Sequence, residues 1–468
     1  MAEIGFYTIL HSSIDAKLLC LQRFTRMFAY GLTYPIFVQF LSRIGISQDR
    51  TGLFMMLTLL GDTAISLGLT AFTDGVGRRY ILAAGALLMS LSGFAYIVSS
   101  NYWVLLVASI IGVISPNGNE IGPFKAIEES ILAQLTAEED RSDIFAWYML
   151  LGSAGAALGT ISSGWLVQGL ESRQFSLTTA YRSVFVLYAV CGLAKLVLVT
   201  NLTQNVEAEK EDVFYHELED SPEGNSGEAE HEPNGNNDME RMEPQKPSLT
   251  SKIFALFTRI SPSSRSILIR LITFFTLDSF ASGMASPSWI SYFFTTVHSL
   301  EPRKLGSLFF VTNILATISN LLALPLAHRL GPLKTMVFTH LPSALFLSLI
   351  PIPSASASGR WFAMAFLALR SCTSSMDQAP RQAFLSAAVK PQERTAVLSV
   401  VNITKTLAQA GGLGTAGVLA NGVHWIVLLS GAGAIKAGYD LLMLWMFLGV
   451  SRPRDSFPVP CVSFRGDN

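Results

Sequence analysis

Thr73-Asp74-Gly75-Val76-Gly77-Arg78-Arg79-Tyr80 is a short charged stretch set between two long apolar runs. Before it, Thr51 to Phe72 carries one acid, Asp62, and after it Ile81 to Ser99 carries no charge. Each run approaches the ~20 residues that a helix needs to cross a hydrocarbon core. The two glycines permit a tight turn. Arg78 and Arg79 predict the side of the membrane, because short loops rich in Lys and Arg stay on the cytoplasmic face.

The whole chain has the same character. Half of its 468 residues are apolar, 14% are charged and the mean hydropathy is +0.41. Soluble domains carry about 25% charged residues, so the composition is that of a polytopic membrane protein. A net charge of -1 and the absence of a basic stripe give no reason to expect a nucleic-acid partner. Cys20, Cys191, Cys372 and Cys461 have no paired spacing, so neither a disulfide framework nor a metal site is expected. No cofactor is implied. Met1 to Lys17 lacks the basic and apolar regions of a cleavable signal.

Apolar runs recur along the chain and predict twelve spans: Leu19–Leu41, Thr51–Phe72, Ile81–Ser99, Trp103–Phe124, Ile144–Val167, Val184–Asn201, Ser266–Tyr292, Gly306–Leu326, Thr335–Pro351, Trp361–Ala383, Ala396–Leu419 and Val423–Leu448. With the glycine loop inside, an even number of spans puts both termini in the cytoplasm. The resulting Lys and Arg bias agrees with this, although the outer loops are not free of basic residues.

Four segments follow: a first bundle over 1–201, an acidic linker over 202–250, a second bundle with a leading amphipathic helix over 251–450, and a tail over 451–468. The linker, with Glu-Leu-Glu-Asp-Ser-Pro-Glu-Gly-Asn-Ser-Gly-Glu, is too polar to bury a core and is expected to be disordered. The halves repeat. Asp74 to Gly77 matches His328 to Gly331, Gly31 and Pro35 match Gly283 and Pro287, Glu120 and Pro123 match Asp377 and Pro380, Arg141 matches Arg394, and Gly159 matches Gly412. Five correspondences in register point to a duplicated six-span unit.

These residues resemble the major facilitator superfamily of secondary transporters. The family's inner loop after span 2, G-x-x-x-D-R-x-G-R-R, is matched by Asp74, Gly77, Arg78 and Arg79; Thr70 and Gly75 depart from it, and the second copy keeps Arg329 and Gly331. The resemblance implies an all-α fold of two pseudo-symmetric six-helix bundles around a central cavity, with substrate near the midplane. It also implies gating roles for Asp74, Arg78 and Arg79. Span 5 partly matches a glycine-rich antiporter signature through Gly155 and Gly159, but Ala156 replaces its proline, and close helix packing is the preferred explanation.

Ionisable groups at membrane depth are costly, so those retained usually face a cavity or a partner. The candidates for substrate or proton handling are Asp278 and Arg370, followed by Glu120, Asp377, Asn117, Asn119, Asp62 and Arg26. Asp62 and Lys405 are expected to meet across the halves, either coupling bundle closure to protonation or, the preferred reading, as a static bridge. Lys436 and Asp440, four apart on span 12, are expected to neutralise each other. Glu128 and Glu129 are expected to lie solvated at the rim. Trp289, Tyr292, Phe293 and Phe294 fit either an apolar pocket or an interfacial belt.

The expected function is proton-coupled secondary transport of a small organic solute by alternating access, with export favoured. Uptake or facilitated diffusion of a nutrient, or solute sensing, are the alternatives. The expected partners are solute, protons and the lipid bilayer, acting on a monomer at the plasma membrane. No nucleophile elbow, metal-ligand spacing or phosphate loop suggests an enzyme.

Overall fold

A computed structural model describes residues 6–112, 114, 123–207, 262–378, 380–381 and 394–447. Helices account for nearly all regular structure there, and no strand occurs among the described residues. In the first half, span 1 is a broken helix (Ile14–Thr33, Phe37–Arg43), spans 2 and 3 are Gln48–Val76 and Arg78–Val98, span 4 has described parts Tyr102–Ile111 and Pro123–Leu135, and spans 5 and 6 are Arg141–Glu171 and Leu177–Thr200. In the second half, span 7 is broken (Pro262–Met284, Pro287–Thr296), followed by Pro302–Leu330, Pro332–Leu349, Ala357–Thr373, Arg394–Asn421 and Gly431–Phe447. Six helical segments among the described residues are long and apolar enough to cross a membrane.

The charged stretch that opens the argument is less of a loop than expected. Span 2 continues as helix through Val76, Gly77 alone breaks it, and span 3 starts at Arg78. Gly77 has φ 101° and ψ 134°, and Gly331, at the corresponding turn of the second half, has φ 82° and ψ 158°. This region of backbone space is essentially reserved for glycine, which explains why both repeats keep one there.

The two halves pack alike. Span 1 lies along span 5 and span 3 along span 6; span 7 lies along span 11 and span 9 along span 12. Glycines set the first of these crossings. A Cβ on Gly31 would run into the backbone of Ala156 on span 5, and one on Gly283 into the backbone of Gln409 on span 11. Gly155 and Gly159 face the backbone of Phe24 and Phe28 in the same way. Among the described contacts, the glycines of span 5 therefore serve helix packing.

The halves meet through span 2 on span 11 and span 5 on span 8. A Cβ on Gly52 would sit 2.7 Å from the Cα of Gly417. Gly164 and Gly306 touch in the same manner at the second crossing. Outward faces are apolar, as with Leu87, Leu91, Phe94 and Val98 of span 3 and Val186, Val190, Leu193 and Val197 of span 6, all exposed. Such surfaces suit lipid.

Trp289, Tyr292, Phe293 and Phe294 are all buried, between 0% and 9% exposed. They pack with Trp425 as core and form no interfacial belt. The first bundle extends past span 6: Leu202 and Val206 are buried, and Thr203 bonds Asp15 through its N–H (2.9 Å) and hydroxyl (2.6 Å). The remaining linker from residue 208, the amphipathic segment 251–260 and the tail lie outside the described residues.

Candidate functional site

Prolines create the first feature. Pro35 breaks span 1, and Pro287 starts the second part of span 7. A broken helix leaves carbonyls that must find donors. Here the other half supplies them: Ser288 Oγ donates to the Tyr34 carbonyl at 2.9 Å, and Ser291 Oγ donates to the Pro35 carbonyl. Around these, Gln39 Nε2 donates to Ser291 Oγ (2.9 Å) and Thr295 Oγ1 (3.2 Å), Gln48 Nε2 to Tyr292 OH (2.6 Å), and Asn313 Nδ2 to Tyr34 OH (3.2 Å). This latch consists of neutral groups and lies at the end opposite Gly77 and Gly331. The small cleft beside it, lined by Gln39, Ser163, Tyr181 and Thr295 among others, holds about 20 Å³. That is room for one water, not for an organic solute.

Each half is fastened internally by buried ions. In the first half, Arg26 of span 1 and Glu128 of span 4, 2% and 0% exposed, form a bidentate pair with Nη2 to Oε2 at 2.8 Å. Tyr148 of span 5 donates to Oε2 at 2.8 Å, and Lys195 of span 6 lies 3.6 Å from Oε1. Arg23 stacks 4.2 Å from the Tyr148 ring centre and lies 3.9 Å from Glu129. Glu128 is thus the centre of the bundle and not a rim residue, because the cations that neutralise it come from spans distant in sequence.

In the second half, Asp278 of span 7 accepts from Lys436 of span 12 at 2.6 Å and from Arg381 beyond span 10 at 2.7 Å. Arg381 also bonds Asp377. His340 of span 9 has Nε2 3.7 Å from Asp278 and Nδ1 2.8 Å from Asp440 of span 12. Lys436 additionally donates to Ser282 Oγ at 2.7 Å. Lys436 and Asp440 therefore do not neutralise each other: both face inward, to Asp278 and His340. Asp278 follows Arg26 by the same 252 residues that separate Gly31 from Gly283. The two repeats have opposite charges at one position: Arg26 is matched by Glu128 of span 4, and Asp278 by Lys436 of span 12 and Arg381 beyond span 10.

Two of the expected residues stand apart from these networks. Asp62 of span 2 is 6% exposed, and its Oδ1 has no hydrogen-bond partner. It forms no ion pair with Lys405, whose Nζ instead lies 5.6 Å from the ring centre of Phe275. Packing explains the difference: the Gly52–Gly417 approach joins spans 2 and 11 near the latch end, whereas Lys405, three turns further along, turns into its own half. Arg370 is half-buried and its Nε lacks a partner. Asp278, the other first-ranked candidate, is taken by Lys436 and Arg381.

At the glycine turns, Arg78 Nη1 donates to Gln134 Oε1 (2.7 Å) and Arg79 Nη2 to the Thr200 carbonyl (3.5 Å). The Glu207 carboxylate accepts from the Arg78 N–H (2.6 Å) and the Arg79 N–H (3.2 Å). An acid at a helix N-terminus satisfies free N–H groups and the helix dipole. Arg329 lies exposed in the last turn of span 8. Asp74 lies in the span 2 helix, its side chain outside the described set, and Asn117, Asn119 and Glu120 lie outside the described residues.

Lys195, His340 and Arg381 were legible as lone polar groups within predicted spans, and the rule applied to Asp278 would have selected each of them. No cluster of metal-ligating side chains occurs among the described residues.

Comparison with known proteins agrees with this architecture. The Major Facilitator Superfamily model matches residues 19–275 and again 271–461. The uncharacterized membrane protein YJR124C of Saccharomyces cerevisiae is 35% identical over 460 residues, covering 96% of this chain and 98% of the yeast protein. The quinolone resistance protein NorA of Staphylococcus aureus is 23% identical over 138 residues, 30% of this chain and 34% of NorA. A crystal structure of a D-xylose–proton symporter superposes with a TM-score of 0.66 at 14% identity, covering 93% of this chain and 98% of the symporter, which is a likeness of fold. With two tandem matches spanning both bundles and a full-length relative, the chain belongs to the major facilitator superfamily.

Proposed function

We propose that the chain is a secondary transporter that moves a small organic solute across a membrane by alternating access, coupled to protons and working towards export. The observation that carries this is mechanical. Each half is held together by its own buried ions, whereas the latch between halves is built from neutral hydrogen bonds at one end. Two rigid bodies with a neutral, breakable closure can rock without separating charges. Basic residues at the glycine turns favour the cytoplasmic side for that end, so this arrangement is closed towards the outside.

Proton coupling rests on Asp62. A carboxylate with no cation beside it is the group whose charge a proton can cancel during the cycle, and it is carried by span 2, which packs against span 11 of the other half. Asp278 and Asp377 are second candidates, since their ion pairs could exchange partners. Arg26, Glu120, Asn117 and Asn119 stay candidates for substrate or proton handling, and Asp74, Gly77, Arg78, Arg79, Arg329 and Gly331 candidates for the opposite gate. Export draws on the partial likeness to NorA.

The test is flux in reconstituted vesicles with a lumenal pH dye. Solute-driven proton movement that is lost in Asp62→Asn, while solute exchange persists, supports coupling through Asp62. Solute flux without proton movement in the wild type identifies a facilitator, the second reading.

A further inference from the structure

We infer that the transported solute is an anion and that Arg370 is the residue that binds its carboxylate or phosphate-type group; this deepens, and rests on, the transport function proposed above. Arg370 stands in the last turn of the span 10 helix, Ala357–Thr373. It forms no side-chain hydrogen bond or ion pair with any described residue, and its Nε is buried without a partner. Among the described residues, the cations around Asp278 are matched. Lys436 and Arg381 share Asp278, Arg381 also holds Asp377, and Lys405 lies over the Phe275 ring.

The neighbouring hydroxyls do not account for Arg370. Ser371 Oγ donates to the Leu367 carbonyl at 2.9 Å, Thr373 Oγ1 to the Arg370 carbonyl at 3.4 Å, and Ser319 Oγ to the Cys372 carbonyl. They tie down backbone carbonyls, and none approaches the guanidinium. Nor are the acids of the same half available: Asp278 and Asp377 are paired with cations and Asp440 with His340.

Arginine cannot shed its proton to escape this position. A guanidinium retained at membrane depth therefore awaits a partner, and its planar fork fits the paired oxygens of a carboxylate or phosphate. Position agrees with this use. Asp377 lies seven residues on, past the end of that helix, and Arg381 beyond it reaches span 7 through Asp278. Arg370 thus lies on span 10 before the ion network, on a helix that packs against spans 8 and 9. An anion there would match the Arg370 charge without disturbing the ion pairs of Asp278, Asp377 and Asp440.

The experiment uses the full chain in proteoliposomes. Three panels of matched size are offered: mono- and dicarboxylates, phosphate monoesters, and neutral or cationic solutes. The expected result is flux of an anionic panel, with the responding panel separating carboxylate from phosphate. Arg370→Gln lowers that flux roughly 30-fold or more, the loss expected when one partner of a buried charge pair is removed. Arg370→Lys, which keeps the charge but not the fork, retains an intermediate rate. Thermal stabilisation of the wild type by the same anions, with none from the neutral panel, gives a readout that needs no variant. Flux confined to neutral or cationic solutes, or anion flux unchanged in Arg370→Gln, overturns the anion assignment and leaves transport standing. No flux and no stabilisation by any panel overturns both.

Discussion

Replacing Asp278 by Asn should destabilise the second half severely, and removing Lys436 as well should add nothing to the loss and recover a small part of it. Asp278 accepts at 2.6 Å from Lys436, which is itself buried, and at 2.7 Å from Arg381. With Asn in place, Arg381 keeps Asp377, but Lys436 keeps only the Ser282 hydroxyl at 2.7 Å. A buried charge deprived of its partner costs about 3 to 5 kcal/mol, whereas replacing both members of such a pair by apolar groups is close to neutral. Lys436→Met alone should cost less than Asp278→Asn, about 1 to 2 kcal/mol, because Asp278 would keep Arg381 and the change removes one charge-assisted hydrogen bond. The double variant Asp278→Asn/Lys436→Met should fall well short of the sum, with a coupling energy of about 1.5 to 3 kcal/mol. Unfolding free energies of the four proteins in mixed micelles, titrated with a denaturing detergent, give the cycle directly. A cost below about 1 kcal/mol for Asp278→Asn, or additive single effects, would refute the ion pair as the fastening between spans 7 and 12.

Tyr292→Phe removes the acceptor of Gln48 and should favour opening of the latch by about 1 kcal/mol, a roughly fivefold change in population, read as faster labelling of a cysteine placed behind it. Gly77→Ala and Gly331→Ala should each cost about 1 to 3 kcal/mol through backbone strain, since both glycines have positive φ; equal stability of the variants in thermal unfolding would show that the turns relax. His298, between spans 7 and 8, is 1% exposed, and burial, helped by the nearby Arg360 charge, holds its pKa below the usual value. The unfolded chain therefore binds the proton first: stability is full above about pH 6.5 and falls as pH drops from there to the lowered folded-state value. His298→Phe should flatten that slope in thermal unfolding measured from pH 8 to 5, and an unchanged slope would assign it to other groups.

Sequence alone determined the class of the molecule. Long apolar runs have no stable place but a bilayer or a core, and their number and spacing carried the twelve-span, two-bundle architecture. Gly31, Pro35 and Gly77 recur in the second half because backbone geometry, being local, must be built twice. Charge partnership is not local. Which cation meets which acid depends on how each helix is rotated about its axis, and apolar composition around the whole circumference of a span leaves that rotation unmarked. Hence Glu128, two turns beyond a helix-breaking stretch, looked like a rim residue but lies at the centre of four spans; Lys436 and Asp440 looked like each other's partners but serve spans 7 and 9. Only tertiary packing, set by glycine crossings that admit one approach of backbone to backbone, decided those pairs. The same packing left Asp62 and Arg370 unmatched among the buried charges, and it is their lack of partners that makes them candidates for function.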